Sequence, residues 1–235
     1  MEYKVSVRIN EHLYLRDPEQ SSLGRRIVQE GVLLFNELGF EDFTFKKLAT
    51  RLHTNESSVY RYFENKHRLL VYLVTWYWRW MDFQLNFFTH SLKNPVEKLD
   101  ITIQLLLLRK EAPIPQQEFI DFGALHQLVV KESSKAYLTR HVTEDNKQQL
   151  FKPYKDLCAH IAAIISECNS SYPYSRSLAS TLIEMAHYQY FFMHHLPSLT
   201  DFGQTKSEEE LTGFLKDLVY SAVRLNNAET DKVES

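Results

Sequence analysis

The most informative segment of this chain runs from Thr44 to Lys66 and reads TFKKLATRLHTNESSVYRYFENK. Within it, Phe45, Leu48, Ala49 and Leu52 recur at the i, i+3, i+4 and i+7 spacing of an amphipathic helix. This spacing predicts one helix with an apolar face, and it leaves both lysines of that helix, Lys46 and Lys47, outside the face.

A second helix is predicted shortly after the first. Asn55 is expected to be its N-cap, because the side-chain oxygen can accept a hydrogen bond from the backbone N–H of Ser57 or Ser58. Val59 and Phe63 are four positions apart and are predicted to face inward. Two helices with a short connection, the second polar at its start, are typical of a helix-turn-helix that reads DNA.

Further features lie in this motif or just before it: a Gly-Phe turn, a helix capped by threonine, and an aromatic-rich second helix followed by a lysine. They are Gly39-Phe40, Thr44, Leu48-Ala49, Val59-Tyr60-Arg61-Tyr62-Phe63 and Asn65-Lys66. Over roughly residues 22 to 70, the chain resembles the DNA-binding domain of the TetR family of bacterial transcriptional regulators. It departs from the family at His53, where a turn glycine is usual, and at Glu56, where a neutral or basic residue is usual. Because histidine tolerates the left-handed conformation better than most residues, we expect the turn to be kept.

The resemblance implies a transcriptional regulator, a repressor that binds a palindromic operator as a homodimer and is released by a small, mainly apolar ligand. Hydroxyl, tyrosine and lysine side chains would hold phosphates, whereas arginine and exposed polar groups would read base edges. The residues expected at the DNA are Thr44, Lys46, Asn55, Glu56, Ser57, Ser58, Tyr60, Arg61, Tyr62 and Lys66.

The distribution of charge agrees with this interpretation. The 235 residues carry a formal net charge of −3, but residues 44 to 68 hold six Lys/Arg against two Asp/Glu. A basic segment that coincides with a helix-turn-helix favours nucleic acid as a partner. The alternative is a helical interaction protein that keeps the fold but has lost sequence-specific DNA binding, and Glu56 and the negative total charge favour it.

Composition predicts a soluble globular protein, with 44% hydrophobic and 24% charged residues. Cys158 and Cys168 are ten positions apart, which on one helix is about 15 Å and too far for a disulfide. A reducing cytoplasm is the simplest setting for such a chain. The sequence has neither an apolar run long enough to span a membrane nor the pattern of a signal peptide, so we expect neither.

The remaining sequence predicts an all-α fold of about nine helices. We expect an N-terminal arm at 1–20, the helix-turn-helix domain at 21–66, a ligand-binding and dimerisation domain at 67–228, and a polar tail at 229–235. The arm is expected either to reach a minor groove or phosphates, or to pack back on the protein or be disordered. A helix at about 66–89 is apolar on all sides, which predicts that it is covered on all sides and links the two domains.

Two helices near the C-terminus, 176–195 and 208–225, are predicted to form the dimer contact. Their apolar stripes are Leu178, Leu182, Met185 and Phe192, and Leu211, Leu215, Leu218 and Val219. Upstream, Pro153 lies inside a helical pattern from Glu144 to Glu167, so either a kink or a shorter helix is expected there.

The helical body is also expected to hold an aromatic, mainly apolar ligand pocket, with a closed core as the alternative. Its candidate residues are Trp76, Phe119, Phe122, His126, Tyr154, Leu157 and Cys158. We expect no metal site and no cofactor, because the ten histidines do not stand at ligand spacing with cysteines or carboxylates. The sequence also lacks phosphate-binding and hydrolase motifs, so an enzyme is not expected.

Overall fold

The computed structural model describes residues 9–108 and 120–224, and within these ranges it contains helices and no strand, which confirms the predicted fold class. The described residues form eleven α-helices. They are α1 Ser22–Asp42, α2 Phe45–Arg51, α3 Glu56–Tyr60, α4 Lys66–Thr89, α5 Pro95–Leu106, α6 Phe122–Glu132, α7 Ser134–Tyr137, α8 Val142–Lys147, α9 Lys152–Cys168, α10 Ser175–His195 and α11 Glu208–Val223.

The structure has more helices than predicted because the region before α9 is divided. A long helix from Glu144 was one prediction, but α8 ends at Lys147, Gln149 has a positive φ of 59°, and α9 begins at Lys152. Pro153 therefore lies in the first turn of α9, where a missing backbone N–H costs no helical hydrogen bond. The alternative of a shorter helix starting near Pro153 is confirmed.

The chain forms two compact units. The first comprises Met1–Trp80 and Pro113–Lys155, and the second comprises Met81–Ala112 and Asp156–Ser235. Helices α4 and α9 each begin in the first unit and end in the second. The first unit therefore contains the helix-turn-helix together with α6, α7 and α8.

Helix α1 begins at the N-cap Ser21, whose side chain accepts a hydrogen bond from Gly24 N at 3.0 Å. Gly39, the glycine of the expected Gly-Phe turn, takes a positive φ of 72°, and one more helical turn follows as far as Asp42. That turn is held by α6, because the Glu132 carboxylate accepts from Phe40 N at 3.1 Å.

The segment before α1 packs on the first unit. Ile9 and Leu13 are buried, and Leu15 N donates to Tyr62 O at 2.8 Å. Asn10 Nδ2 donates to Gln148 O at 2.8 Å. From residue 9 onward the arm therefore packs back on the protein, whereas residues 1–8 lie outside the described ranges.

Residues 69 to 78 of α4 are all buried, as expected for a helix that is apolar on every side. Trp76 and Trp80 share a face, and their rings stack with centroids 5.9 Å apart. Tyr77, on another face, stacks on Phe122 of α6 at 5.4 Å. The first half of α4 is thus the central helix of the first unit.

The second unit is built from the end of α4, α5, the later part of α9, and the helices α10 and α11. Ion pairs join α5 to its neighbours: Lys98 to Glu167 at 2.6 Å and Lys216 to Asp100 at 2.9 Å. Cys158 and Cys168 are free thiols, as predicted. Among the described residues, no helix has both the length and the apolar character needed to cross a membrane.

The apolar stripes assigned to a dimer contact divide into two groups. Five of the eight residues fill the core of the second unit, so their side chains are not on its surface: Leu178, Leu182, Leu211, Leu215 and Val219. The expectation for these five is corrected, because both stripes chosen from the sequence include the faces that α10 and α11 turn toward their own unit. Met185, Phe192 and Leu218 are partly exposed.

Candidate DNA-binding site

The turn between α2 and α3 has the geometry that the sequence predicts. His53 takes the left-handed conformation with φ 52°, and Thr54 N donates to Ala49 O at 2.9 Å. Asn55 caps α3, because its Oδ1 accepts from Ser58 N at 2.9 Å. Thr44 caps α2 in the same way, through Lys47 N at 3.2 Å. Both caps fix where the helices begin and therefore which side chains face outward.

Helix α3 has one buried side and one exposed side. Val59 is fully buried in the domain, and Phe63, just after the helix, is buried beside it. On the opposite side Tyr60 is 46% exposed, and its ring meets the edge of Phe45 with centroids 4.9 Å apart. The exposed residues among those expected at the DNA are Thr44, Lys46, Asn55, Glu56, Ser57, Tyr60 and Arg61, with Ser58 partly exposed.

The serines near the start of α3 are oriented by Asn55. The hydroxyls of Ser57 and Ser58 both donate to its Oδ1, at 2.7 and 2.8 Å. With their hydrogens directed at Asn55, the two hydroxyl oxygens are left as acceptors. In this arrangement they suit the exocyclic amino groups of adenine or cytosine better than phosphate oxygens, which need donors.

Tyr62 was expected to contact DNA, but its side chain is buried inside the domain. It is 3% exposed, and its hydroxyl lies 2.7 Å from the hydroxyl of Ser21. The Arg16 guanidinium lies 5.5 Å from the centroid of its ring. Tyr62 therefore connects the end of the motif to the segment before α1, and the exposed tyrosine is Tyr60.

Lys66 likewise is used inside the domain. Its ammonium donates to the backbone oxygens of Phe40, Glu41 and Phe43 at 2.7, 2.8 and 3.2 Å. It also lies 4.6 Å from the centroid of the Phe40 ring. Because an ammonium has three N–H donors, these three carbonyls account for all of them. We therefore place Lys66 as the residue that holds the chain between α1 and α2, not as a phosphate ligand.

Other basic residues of the segment are also paired within the protein. Arg51 contacts Glu30 and Glu37, both at 2.6 Å, and hydrogen bonds to these carboxylates raise the pKa of its guanidinium. Arg68 pairs with Asp145 at 3.2 Å. The cations exposed around α2 and α3 are Lys46, Lys47 and Arg61. The basic surface is therefore smaller than the charge count of the segment indicates.

The described residues among the ligand-pocket candidates are divided between the two units. Trp76, Phe122 and His126 are buried in the first unit, where Tyr77 Oη lies 2.8 Å from His126 Nδ1. Burial lowers the pKa of His126 to about 4. Leu157 and Cys158 belong to the second unit, and Phe119 lies outside the described residues.

Tyr154 alone of the candidates lines a cavity of about 410 Å³ in the first unit. The cavity lies between α4 and the segment from α7 to the start of α9. Its lining residues are Val71, Val74, Thr75, Trp78, Ala136, Tyr137, Val142, Thr143, Asn146, Leu150, Phe151, Tyr154 and Lys155. The described residues contain no group of three histidine, cysteine or acidic side chains placed to hold a metal ion.

Taken together, the capped turn, the exposed side of α3 and the helical body define a helix-turn-helix regulator fold. Residues 27–73 match the family model described as bacterial regulatory proteins, tetR family, and this match confirms the resemblance seen in the sequence. Residues 27–73 thus carry the helix-turn-helix of TetR-family transcription regulators, a class whose members are generally not enzymes.

The solved structures that are similar to this chain include the following two. The first is the fatty acid degradation regulator FadR from Bacillus halodurans, with 15% identity and a TM-score of 0.55, covering 84% of this chain and 93% of that one. The second is apo AibR, with 13% identity and a TM-score of 0.52, covering 83% of this chain and 96% of that one. At these identities the similarity establishes a shared fold. None of the curated proteins matches the chain.

Proposed function

We propose that the protein is a transcriptional regulator that places α3 in the major groove of an operator, acts as a homodimer, and releases the DNA when a small ligand binds. The observation that carries this proposal is the exposed side of α3. It presents Ser57, Tyr60 and Arg61 from a helix whose other side is fixed in the domain by Val59 and Phe63.

The side chains on and near α3 divide into two groups by their chemistry. Arg61 is exposed, and a guanidinium can bond the O6 and N7 atoms of a guanine with two parallel hydrogen bonds. Glu56 is exposed at the first position of α3, and a carboxylate accepts from the amino group of cytosine. Lys46 on α2 and the hydroxyl of Tyr60 suit phosphates. The proposed contacts thus exclude Tyr62 and Lys66.

A dimer follows from the size of α3. A helix of five residues reads few base pairs, so two copies about 34 Å apart on a two-fold axis are needed to read successive major grooves. In the second unit, Tyr188 of α10 is 47% exposed and Phe214 of α11 is 38% exposed. Partly exposed Met185, Phe192 and Leu218 lie on the same two helices. We propose this surface as the dimer contact.

The cavity of the first unit is the proposed ligand site, because one of its walls is tied to the DNA-binding motif. Helix α8 lines the cavity through Val142 and Asn146, and its Asp145 forms the ion pair with Arg68 in the first turn of α4. A ligand that shifts α8 would therefore act on the start of α4, next to Lys66. Such a ligand releases DNA only if it binds the DNA-free arrangement more tightly than the DNA-bound one.

The test is to select genomic DNA fragments on the purified protein and to measure affinity for the enriched sequence as a function of salt. We expect a palindromic site, weaker binding for Arg61→Ala and Tyr60→Ala, and no change for Lys131→Ala, which removes an exposed charge from α6. No enrichment, or weak binding that Arg61→Ala leaves unaltered, would instead support the helical interaction protein.

Sedimentation tests the dimer separately from DNA binding. We expect a dimer at micromolar concentration and a monomer for Phe214→Glu, because a charge in the middle of an apolar contact leaves an unpaired buried group. Glu209→Lys, an exposed charge change in the first turn of the same helix, serves as the control. A monomeric wild-type chain would remove the dimer and, with it, the palindromic operator.

A further inference from the structure

We propose that the cavity in the first unit takes a molecule with an apolar, partly aromatic body and a single anionic group, and that Lys155 is the counter-ion for that group. This inference rests on the ligand site of the proposed function and adds the chemical class of the ligand. It does not depend on which operator the protein reads.

The walls of the cavity determine the character of the ligand body. Val71, Val74 and Trp78 from α4 are buried and form one wall, and Leu150 is buried opposite. The centroid of the Tyr154 ring lies 4.9 Å from the centroid of the Trp78 ring. A volume of about 410 Å³ lies within the range of small-molecule sites, and walls of aliphatic and aromatic side chains favour an apolar body with a flat part.

The hydroxyl group on the α4 wall of the cavity belongs to Thr75, and it makes its hydrogen bond within the protein. Thr75 Oγ1 donates to the backbone oxygen of Leu150 at 3.3 Å, which also ties α4 to the loop before α9. Since that donor is already used, a charged ligand group placed against this wall would lose its water without gaining a hydrogen bond from Thr75. The charged group of a ligand is better placed at the mouth.

The mouth of the cavity carries one positive charge. Thr143, Asn146 and Lys155 line the cavity and are exposed. The Lys155 ammonium donates to Asn146 Oδ1, an uncharged acceptor, and no carboxylate of the described part of the chain forms an ion pair with it. An anion can therefore be paired by Lys155 at the mouth.

The acidic residues of α8 do not neutralise this charge. Asp145 is paired with Arg68 at 3.2 Å, and Glu144 is paired with Lys147 at 3.2 Å. Both carboxylates thus have cations of their own, whereas Lys155 has the amide oxygen of Asn146. This asymmetry favours an anionic ligand over a neutral or cationic ligand of the same shape.

Calorimetric titration of the full chain with three probes of one shape tests the ligand class: 2-naphthoate, the neutral 2-naphthamide and the cationic 2-naphthylmethylammonium. We expect naphthoate to bind about fivefold more tightly than the amide, as an exposed ion pair provides, and the cation to bind most weakly. Lys155→Met should remove the preference and Lys155→Arg should keep it. Lys147→Met, which removes a neighbouring exposed lysine outside the cavity, should leave the preference intact.

A variant that fills the cavity with a larger side chain tests whether the probes bind there. Val142→Trp, at a partly exposed lining position, should abolish the binding of all three probes while the melting curve shows a folded chain. Equal binding of naphthoate and amide, no binding of any probe, a preference that survives Lys155→Met, or a folded Val142→Trp that still binds would each overturn the inference. If naphthoate binds as expected but leaves operator affinity unchanged, the ligand class stands and the proposed release of DNA fails.

Discussion

Arg68 and Asp145 form an ion pair that joins the start of α4 to α8, with Arg68 Nη1 3.2 Å from Asp145 Oδ1 and side chains that are 19% and 7% exposed. Removing Asp145 leaves the largely buried Arg68 with the exposed Glu64, at the longer distance of 4.0 Å, as its counter-charge. For Asp145→Asn we therefore expect a loss of about 3 kcal/mol in the free energy of unfolding, measured with urea.

Two further variants show whether the loss comes from the charge left on Arg68. The double change Arg68→Met with Asp145→Leu replaces both charges with apolar groups and should recover most of the stability, because buried ion pairs compete poorly with apolar packing. Glu144→Gln, which breaks the exposed pair with Lys147 on the same helix, should change stability by less than about 1 kcal/mol. An Asp145→Asn chain as stable as the wild type would mean that water or Glu64 compensates the charge of Arg68.

Arg61 and Tyr60 are expected to affect DNA binding in different ways. Arg61→Ala should cost about 1–3 kcal/mol with the preferred operator and much less with unrelated DNA, because a base contact carries sequence information. Tyr60→Ala should weaken binding to all sequences alike. Fluorescence anisotropy with operator and scrambled duplexes measures both effects. A Tyr60→Ala change that alters sequence preference, with Arg61→Ala neutral, would exchange the two roles.

Lys66 is expected to act on stability. Lys66→Met removes the donor of three hydrogen bonds to backbone oxygens, so we expect a loss of at least about 2 kcal/mol in the free energy of unfolding. Lys66→Arg should not restore it, because a planar guanidinium cannot direct its donors at three convergent carbonyls. At a temperature where the variant is folded, its operator affinity should fall little. A large loss of affinity with unchanged stability would return Lys66 to the DNA contacts.

His126 predicts a dependence of stability on pH. Its pKa is lowered from 6.5 to about 4 by burial, so the native state keeps the ring neutral while the unfolded chain takes up a proton below pH 6.5. The unfolded state then binds more protons, and stability falls as the pH drops from about 6.5 toward 4, by a total on the order of 3 kcal/mol. Burial also lowers the pKa of His67, which acts in the same direction.

Urea unfolding at pH 7 and pH 4.5 measures this effect. His126→Gln should lose less stability between the two pH values than the wild type, because the glutamine side chain does not titrate. Any change in the hydrogen bond to Tyr77 affects both pH values alike. His12→Gln changes an exposed histidine and should behave as the wild type. An identical pH response in the His126→Gln chain would show that other groups account for the acid sensitivity.

The local parts of the fold could be predicted from the sequence. The caps at Thr44 and Asn55, the left-handed His53 and the buried positions Val59 and Phe63 all depend on neighbours within a few residues. Helix periodicity and capping chemistry act over that range, so the motif was readable without tertiary information.

The partners of the charged and aromatic residues could not be predicted in this way. Tyr62 is buried because Ser21, 41 positions earlier, bonds its hydroxyl, and Arg51 is paired with Glu30 and Glu37 on another helix. The cavity was missed for a related reason. Its walls include α7 and α8, of four and six residues, which are too short to show a period of their own.

Glu132 shows that the DNA-binding motif depends on a residue beyond residues 27–73, the range of the family match. Its carboxylate accepts from Phe40 N, and Asn36 Nδ2 donates to Ala124 O at 2.7 Å, so the end of α1 is completed by α6. A segment cut at residue 73, where the family match ends, would lose both partners. Transferring this helix-turn-helix to another regulator would therefore require α6 to be transferred as well. The transferable unit of this protein is thus discontinuous in sequence.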